Sequence, residues 1–256
     1  MKLFCRQFGS GYPFVILHGL FGISDNWVSI ARELGGKYTV YVPDLRNHGQ
    51  SQHSPVFDFP SLVDDLLQLT EDLNLKKFFL AGHSLGGKVA MYFTLQHPEM
   101  ISKLVVIDIS LRKAPVSWEH QMLIDAMLGV DFSNSAARSD VERQLAVTIQ
   151  SQRLRQFLLK NVYWRDKKML DWRLNLPAIN KNLLNIFEGV EVPGKFEGPA
   201  LFIRGGRSDY IKEEDIAELK LKFPGALVKT IPEAGHWVHA DAPGEFLRIL
   251  RNFLDQ

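Results

Sequence analysis

Short apolar runs alternate along this chain with longer amphipathic stretches. Phe14–Leu17 is a wholly apolar run closed by His18-Gly19, and Tyr38–Val42, Phe78–Ala81, Lys103–Ile109, Ala200–Arg204 and Leu227–Ile231 are of similar length. Runs this short, apolar on both faces, predict strands buried in a parallel sheet rather than a sheet wet on one side. Between them lie helix-length segments: Asn26–Leu34, Ser61–Leu75, Lys88–Gln96, Glu213–Phe223 and Pro243–Leu254. In Ser61–Leu75 the residues Leu62, Val63, Leu66, Leu67, Thr70 and Leu73 fall on one helical face with acidic residues opposite. Strand and helix alternating at short spacing predict an α/β fold, its mostly parallel sheet covered by helices on both faces.

The alternation stops at Leu111–Lys195. No strand-like run is visible there, whereas helical stripes such as Met122-Leu123-Ala126-Met127 and Leu154-Phe157-Leu158 are, and Arg and Lys are frequent. The predicted organisation is one core built from residues 1–110 and 196–256, with 111–195 as a helical lid. An insertion at the carboxyl ends of the strands covers the edge where open α/β sheets bind ligands.

The chain has 256 residues, enough for one domain with a full core. With 30 basic and 29 acidic side chains, its balance gives no reason to expect a nucleic-acid or membrane-surface partner. Met1–Gly9 is a polar-interrupted strand pattern rather than a basic-then-apolar leader, and no stretch approaches a membrane span, so a cytoplasmic enzyme is expected. The single cysteine, Cys5, has no intrachain partner for a disulfide and sits in an alternating strand as a packing residue.

Gly82-His83-Ser84-Leu85-Gly86-Gly87 lies between the run ending at Ala81 and the helix beginning at Lys88. A G-x-S-x-G between strand and helix is a nucleophile elbow. The sharp turn forces the serine into a strained backbone conformation, lifts its hydroxyl above the sheet, and aims the first helical amides at developing negative charge. The same letters imitate a phosphate loop, since Gly82–Lys88 has its glycine and lysine spacing. Position 89 is Val, however, where such a loop needs a hydroxyl for magnesium.

A serine nucleophile requires a base, an acid that orients it, and an oxyanion hole. His236, in Gly235-His236-Trp237 after the last strand and before the final helix, is the candidate base. His83 would point away from the nucleophile, and His239 is expected to be solvated at a helix start. The amides of Leu85 and of Leu20, in His18-Gly19-Leu20-Phe21-Gly22, form the candidate oxyanion hole, each such donor worth about two to three orders of magnitude in rate. His18 is expected to brace that loop.

Five segments carry a family resemblance: His-Gly-Leu-Phe-Gly at 18–22, Asp-Leu-Arg-Asn-His-Gly-Gln-Ser at 44–51, Gly-His-Ser-Leu-Gly-Gly at 82–87, Val-Ile-Asp-Ile-Ser at 106–110 and Ala-Gly-His-Trp-Val-His-Ala at 234–240. The chain resembles the α/β-hydrolase esterases of the bacterial YbfF type and their mitochondrial relatives. The likeness runs almost end to end and is weakest over the lid. Arg-Asn-His-Gly is its most discriminating part, because the elbow and Gly-His recur across the superfamily.

The resemblance implies the α/β-hydrolase fold and a serine esterase without metal or organic cofactor, acting on a small-molecule acyl ester or thioester. It also implies an acid at Asp108, at the end of strand Lys103–Ile109. Most members of the superfamily carry the acid after a later strand, where Ser208 falls on the usual position and Asp209 one residue beyond. Asp108 and Asp209 are therefore alternatives, and Asp44 is expected to be structural. Phe21, Trp237, Trp164 and Arg165 are candidates to line the substrate pocket, the last two also reading as lid packing. A serine at position 84 excludes haloalkane dehalogenases and epoxide hydrolases, whose nucleophile is Asp. A serine-dependent C–C hydrolase or lyase on the same fold, and a binding protein with slow turnover, remain as alternatives.

Overall fold

The apolar runs assemble as parallel neighbours in a central sheet. A computed structural model describes residues 1–114, 118–166 and 169–256. Its main sheet is formed, in chain order, by β1 (Cys5–Phe8), β2 (Tyr12–Leu17), β3 (Tyr38–Pro43), β4 (Phe78–His83), β5 (Ile101–Ile107), β8 (Ala200–Gly205) and β9 (Ala226–Ile231). Their spatial order is β1-β3-β2-β4-β5-β8-β9. Only the edge pair β1 and β3 is antiparallel among these described neighbours.

The continuous apolar character of the inner strands follows from cover on both faces. Val15 and Leu17 of β2 pack with Leu80, Leu104, Val106 and Phe202 toward helices α2 (Phe59–Asp72) and α3 (Leu85–Gln96). Phe14 and Ile16 face the other way, with Ala81, Val105, Ile107 and Ile203, toward α1 (Val28–Leu34) and the last helix, Pro243–Leu254. The stripe Phe246, Ile249, Leu250, Phe253 and Leu254 seals that second face. α2 begins two residues earlier than its pattern predicts, because the Asp58 carboxylate accepts the Ser61 amide at 2.9 Å and Pro60 fits the first turn. The predicted helix over 26–34 splits into a tight turn, Ser24–Trp27, followed by α1.

Between β5 and β8 the insertion comprises α4 (Trp118–Leu128), α5 (Arg138–Ala146), α6 (Gln152–Leu159) and α7 (Leu176–Lys181). It also contains strands, contrary to expectation. β6 (Val162–Trp164) pairs antiparallel with β7 (Leu170–Trp172), and the ladder is extended by Arg165 N–H to Met169 O at 2.9 Å and Arg173 N–H to Asn161 O at 2.8 Å. Three residues are too few to display a period of two, so the hairpin leaves no pattern in the sequence.

Candidate active site

β4 runs fully buried into the elbow, and Ser84 caps α3 with φ 52° and ψ −117°. A positive φ is costly for a residue with a side chain, and here the sheet and helix on either side hold it. The Ser84 N–H donates to Ile107 O at 3.0 Å, and Lys88 N–H closes the first helical turn onto Ser84 O. Two glycines make the turn sterically feasible. A Cβ on Gly82 would stand 2.1 Å from Gly86 O, and one on Gly19 would stand 3.2 Å from the Ser84 Cβ.

Directly after β5 comes Asp108, fully buried and also at positive φ (51°). Burying a carboxylate is expensive unless donors surround it. Its Oδ1 accepts the Gly205 amide at 2.9 Å, and its Oδ2 accepts the Ser208 hydroxyl and His236 Nδ1–H, the latter at 2.8 Å. Because a carboxylate only accepts, the His236 proton sits on Nδ1, and Nε2 keeps a lone pair able to take a proton. Tyr210 stacks on the His236 ring, centroids 4.0 Å apart. Asp209, the alternative acid, is exposed, and its carbonyl oxygen accepts from Arg112 at 2.6 Å. The structure thus brings Asp108, not Asp209, to the imidazole. Ser208, on the usual acid position of the superfamily, hydrogen-bonds the acid from the preceding strand.

His83 is buried, its Nε2–H donates to the backbone oxygen of His236 at 2.8 Å, and its ring is among the residues lining the cavity beside Ser84. His239 departs from expectation. It is buried rather than solvated, its ring stacked on Trp27 at 4.1 Å, and burial followed by the nearby His236 pushes its pKa down to about 3.

The loop 18–22 is held by two neutral histidines. His18 Nε2 accepts the Leu45 amide at 2.9 Å while Nδ1–H donates to Gly19 O; His48 Nε2 accepts the Phe21 amide at 3.2 Å while Nδ1–H donates to Arg46 O. Burial lowers His18 to about 4 and, joined by repulsion from His18, lowers His48 to about 3. Phe21 adopts φ 60°, and its carbonyl accepts from Asn161 Nδ2 of the insertion at 2.8 Å. Asn175 makes a second tie, its N–H to Asn47 O at 2.9 Å and its Nδ2 to Asn47 Oδ1 at 3.0 Å. Asp44 is structural, accepting the amides of Ser24 and Gln50. His48, Asn161 and Asn175 escaped the sequence reading. Arg-Asn-His-Gly flagged the first only as part of a turn, and nothing local marks the two asparagines.

A cavity of about 580 Å³ opens over the elbow, within the range of small-molecule sites. Ser84, Leu85, Leu20, Phe21, His236 and Trp237 line it from the core, and Met122, Leu123, Phe157, Ile186 and Phe187 from the insertion. Trp164 and Arg165 are not among its lining residues. Both are exposed, Arg165 pairing with Asp171 at 3.3 Å, so the expectation that they contact substrate finds no support in this cavity's lining. The neighbouring Trp172 packs inside the insertion, its Nε1 donating to Met127 O.

A model described as the alpha/beta hydrolase fold matches residues 12–243. The chain belongs to the α/β-hydrolase fold family. Within it, the chain is 40% identical to the zebrafish (Danio rerio) protein named sn-1-specific diacylglycerol lipase ABHD11, over 96% of this chain and 79% of that one. It is 35% identical to Escherichia coli esterase YbfF, over 95% of this chain and 93% of that one. A solved structure described as a marine microorganism esterase superposes with a TM-score of 0.95 at 41% identity, covering 98% of this chain and 99% of that one. No helix among the described residues is long and apolar enough to cross a membrane, and no cluster of metal-ligating side chains occurs among them.

The buried histidines of this α/β-hydrolase fold carry a pH consequence. His18, His48 and His239 have folded pKa values below the ordinary 6.5, so between that value and about 3–4 the unfolded chain binds protons that the folded one does not. Their stabilising contribution is complete above pH 6.5 and is lost as pH falls toward 4. Calorimetry should show Tm dropping through that window; a flat Tm from pH 7 to 4.5 would contradict it.

Proposed function

We propose that this chain hydrolyses carboxylic esters through an acyl-enzyme formed on Ser84. One observation carries the reading most: Asp108 fixes the Nδ1–H tautomer of His236 in the cavity that also exposes the strained Ser84. Nε2 of His236 takes the hydroxyl proton as Ser84 Oγ bonds to the substrate carbonyl carbon. The carbonyl electrons move onto oxygen, where the amides of Leu20 and Leu85 receive the charge. Collapse breaks the ester C–O bond, and His236 passes its proton to the departing alcohol. Water then repeats the sequence against the acyl-enzyme, releasing the acid and restoring Ser84.

The apolar lining contributed by Met122, Leu123, Phe157, Ile186 and Phe187 supports a substrate with an apolar acyl group, and residues 111–195 serve as the lid that shapes its compartment. The names of the E. coli and zebrafish relatives support esters, acylglycerols included, as the substrate class. Thioesters react by the same steps, with a thiol leaving. The test is steady-state hydrolysis of p-nitrophenyl esters of increasing acyl length. Catalysis should rise with chain length and then fall as the chain outgrows the cavity. Absence of turnover on every ester would overturn the reading.

A further inference from the structure

The Gly-Lys that imitates a phosphate loop has a different employment. Lys88 is 2% exposed, on the helix that Ser84 caps. Its ammonium donates to three backbone carbonyls, Arg112 O at 3.0 Å, Phe187 O at 3.3 Å and Glu188 O. These carbonyls belong to the two ends of the insertion, Arg112 where the chain leaves the core and Phe187–Glu188 where it returns. The two ends also pair with each other, Ala114 N–H to Phe187 O at 2.9 Å and Val190 N–H to Leu111 O at 2.8 Å, forming a neck.

Tyr92 grips the same neck, its hydroxyl donating to Gly189 O at 2.8 Å. Ser84, Lys88 and Tyr92 are spaced by four, so all three lie along one face of α3. Phe59 stacks on Tyr92 at 4.8 Å and lies 5.9 Å from the ammonium. The charge has a reason to be there despite its cost. Burial lowers the amine to about 8, yet no neutral side chain of this length presents three N–H donors to converging carbonyls. The carboxylate of Glu188 is engaged elsewhere, pairing with Lys113 at 2.6 Å.

We propose that Lys88, with Tyr92, clamps the neck of the lid to the nucleophile helix, making Lys88 a positioning residue that sets the acyl compartment relative to Ser84. Lys88 and Phe187 both line that compartment, so neck and cavity wall share atoms. The lid's far side has its own ties, Asn161 to Phe21 and Asn175 to Asn47, leaving the neck as the part that Lys88 controls.

The role in acyl recognition rests on the esterase reading, but the clamp itself is testable without turnover. Hydrogen exchange of the Ala114 and Val190 amides should accelerate about tenfold or more in Lys88→Met, with the amides of β4 and β5 unchanged, because only a local opening is eased. Tyr92→Phe, which deletes a single hydroxyl, should give a smaller acceleration of the same amides. On p-nitrophenyl esters, Lys88→Met should raise KM for the longest accepted acyl chain by about tenfold, a larger factor than its effect on kcat. Unchanged neck exchange, or equal acceleration of neck and sheet, would overturn the clamp. A loosened neck with KM unaltered would overturn the positioning role. Absence of hydrolysis by the unmodified protein would count against the esterase reading alone.

Discussion

Ser84→Ala should lose ester turnover by roughly four to six orders of magnitude, because it removes the oxygen that attacks the substrate carbonyl in the proposed mechanism. Its Tm should remain close to that of the parent. Ser84 is only partly buried, its side chain caps no helix amide, and alanine inherits the same positive φ without adding bulk. The elbow therefore costs the variant what it already costs the parent. Binding should survive as well, since the 580 Å³ cavity keeps its apolar lining. Competitive displacement of a slowly hydrolysed ester by the variant, followed by fluorescence, separates lost chemistry from lost binding. Retained turnover in this variant would place the nucleophile elsewhere.

Asp108→Asn is the second large effect, and its comparison with Asp209→Asn is sharp. An amide at position 108 is nearly the same shape as the carboxylate, so the contacts to Gly205 N–H and the Ser208 hydroxyl constrain how it is oriented. With its oxygen kept toward Gly205, it presents NH₂ to His236 Nδ1. The imidazole then accepts at Nδ1, carries its proton on Nε2, and cannot deprotonate serine. The expected loss in kcat is about 10⁴-fold, the size of effect a wrong tautomer produces. Asp209 is exposed and engages Arg112 through its backbone carbonyl, which the substitution leaves in place, so Asp209→Asn should stay within about twofold. A larger loss at 209 than at 108 would reverse the assignment.

What the sequence revealed and what it hid divide by the range of the interaction. The inner strands announce themselves because both faces are covered, so Phe14–Leu17 and Phe78–Ala81 read as unbroken apolar runs. The elbow is equally plain, since Gly82 and Ser84 answer a local backbone demand. Choosing between Asp108 and Asp209 required knowing which carboxylate faces residue 236, a contact spanning 128 positions. Asn161 is hidden for the same reason, meeting Phe21 across 140 positions with no periodic or spacing signal on either side. His239 reads as solvated because an amphipathic helix start looks exposed in sequence, whereas Trp27 stacks upon it in the fold. Trp164 has the side chain of a pocket residue but sits exposed in a hairpin, outside the cavity lining.

The most direct test of the account is the mass of the protein during turnover. Acid-quenching the enzyme in the first moments after mixing with a p-nitrophenyl ester, then mapping peptides by mass spectrometry, reads the intermediate itself. The account requires one added acyl group on the peptide containing Ser84, appearing with the burst of p-nitrophenol and absent from Ser84→Ala. An acyl group carried on another residue, or a burst with no covalent species, would contradict it.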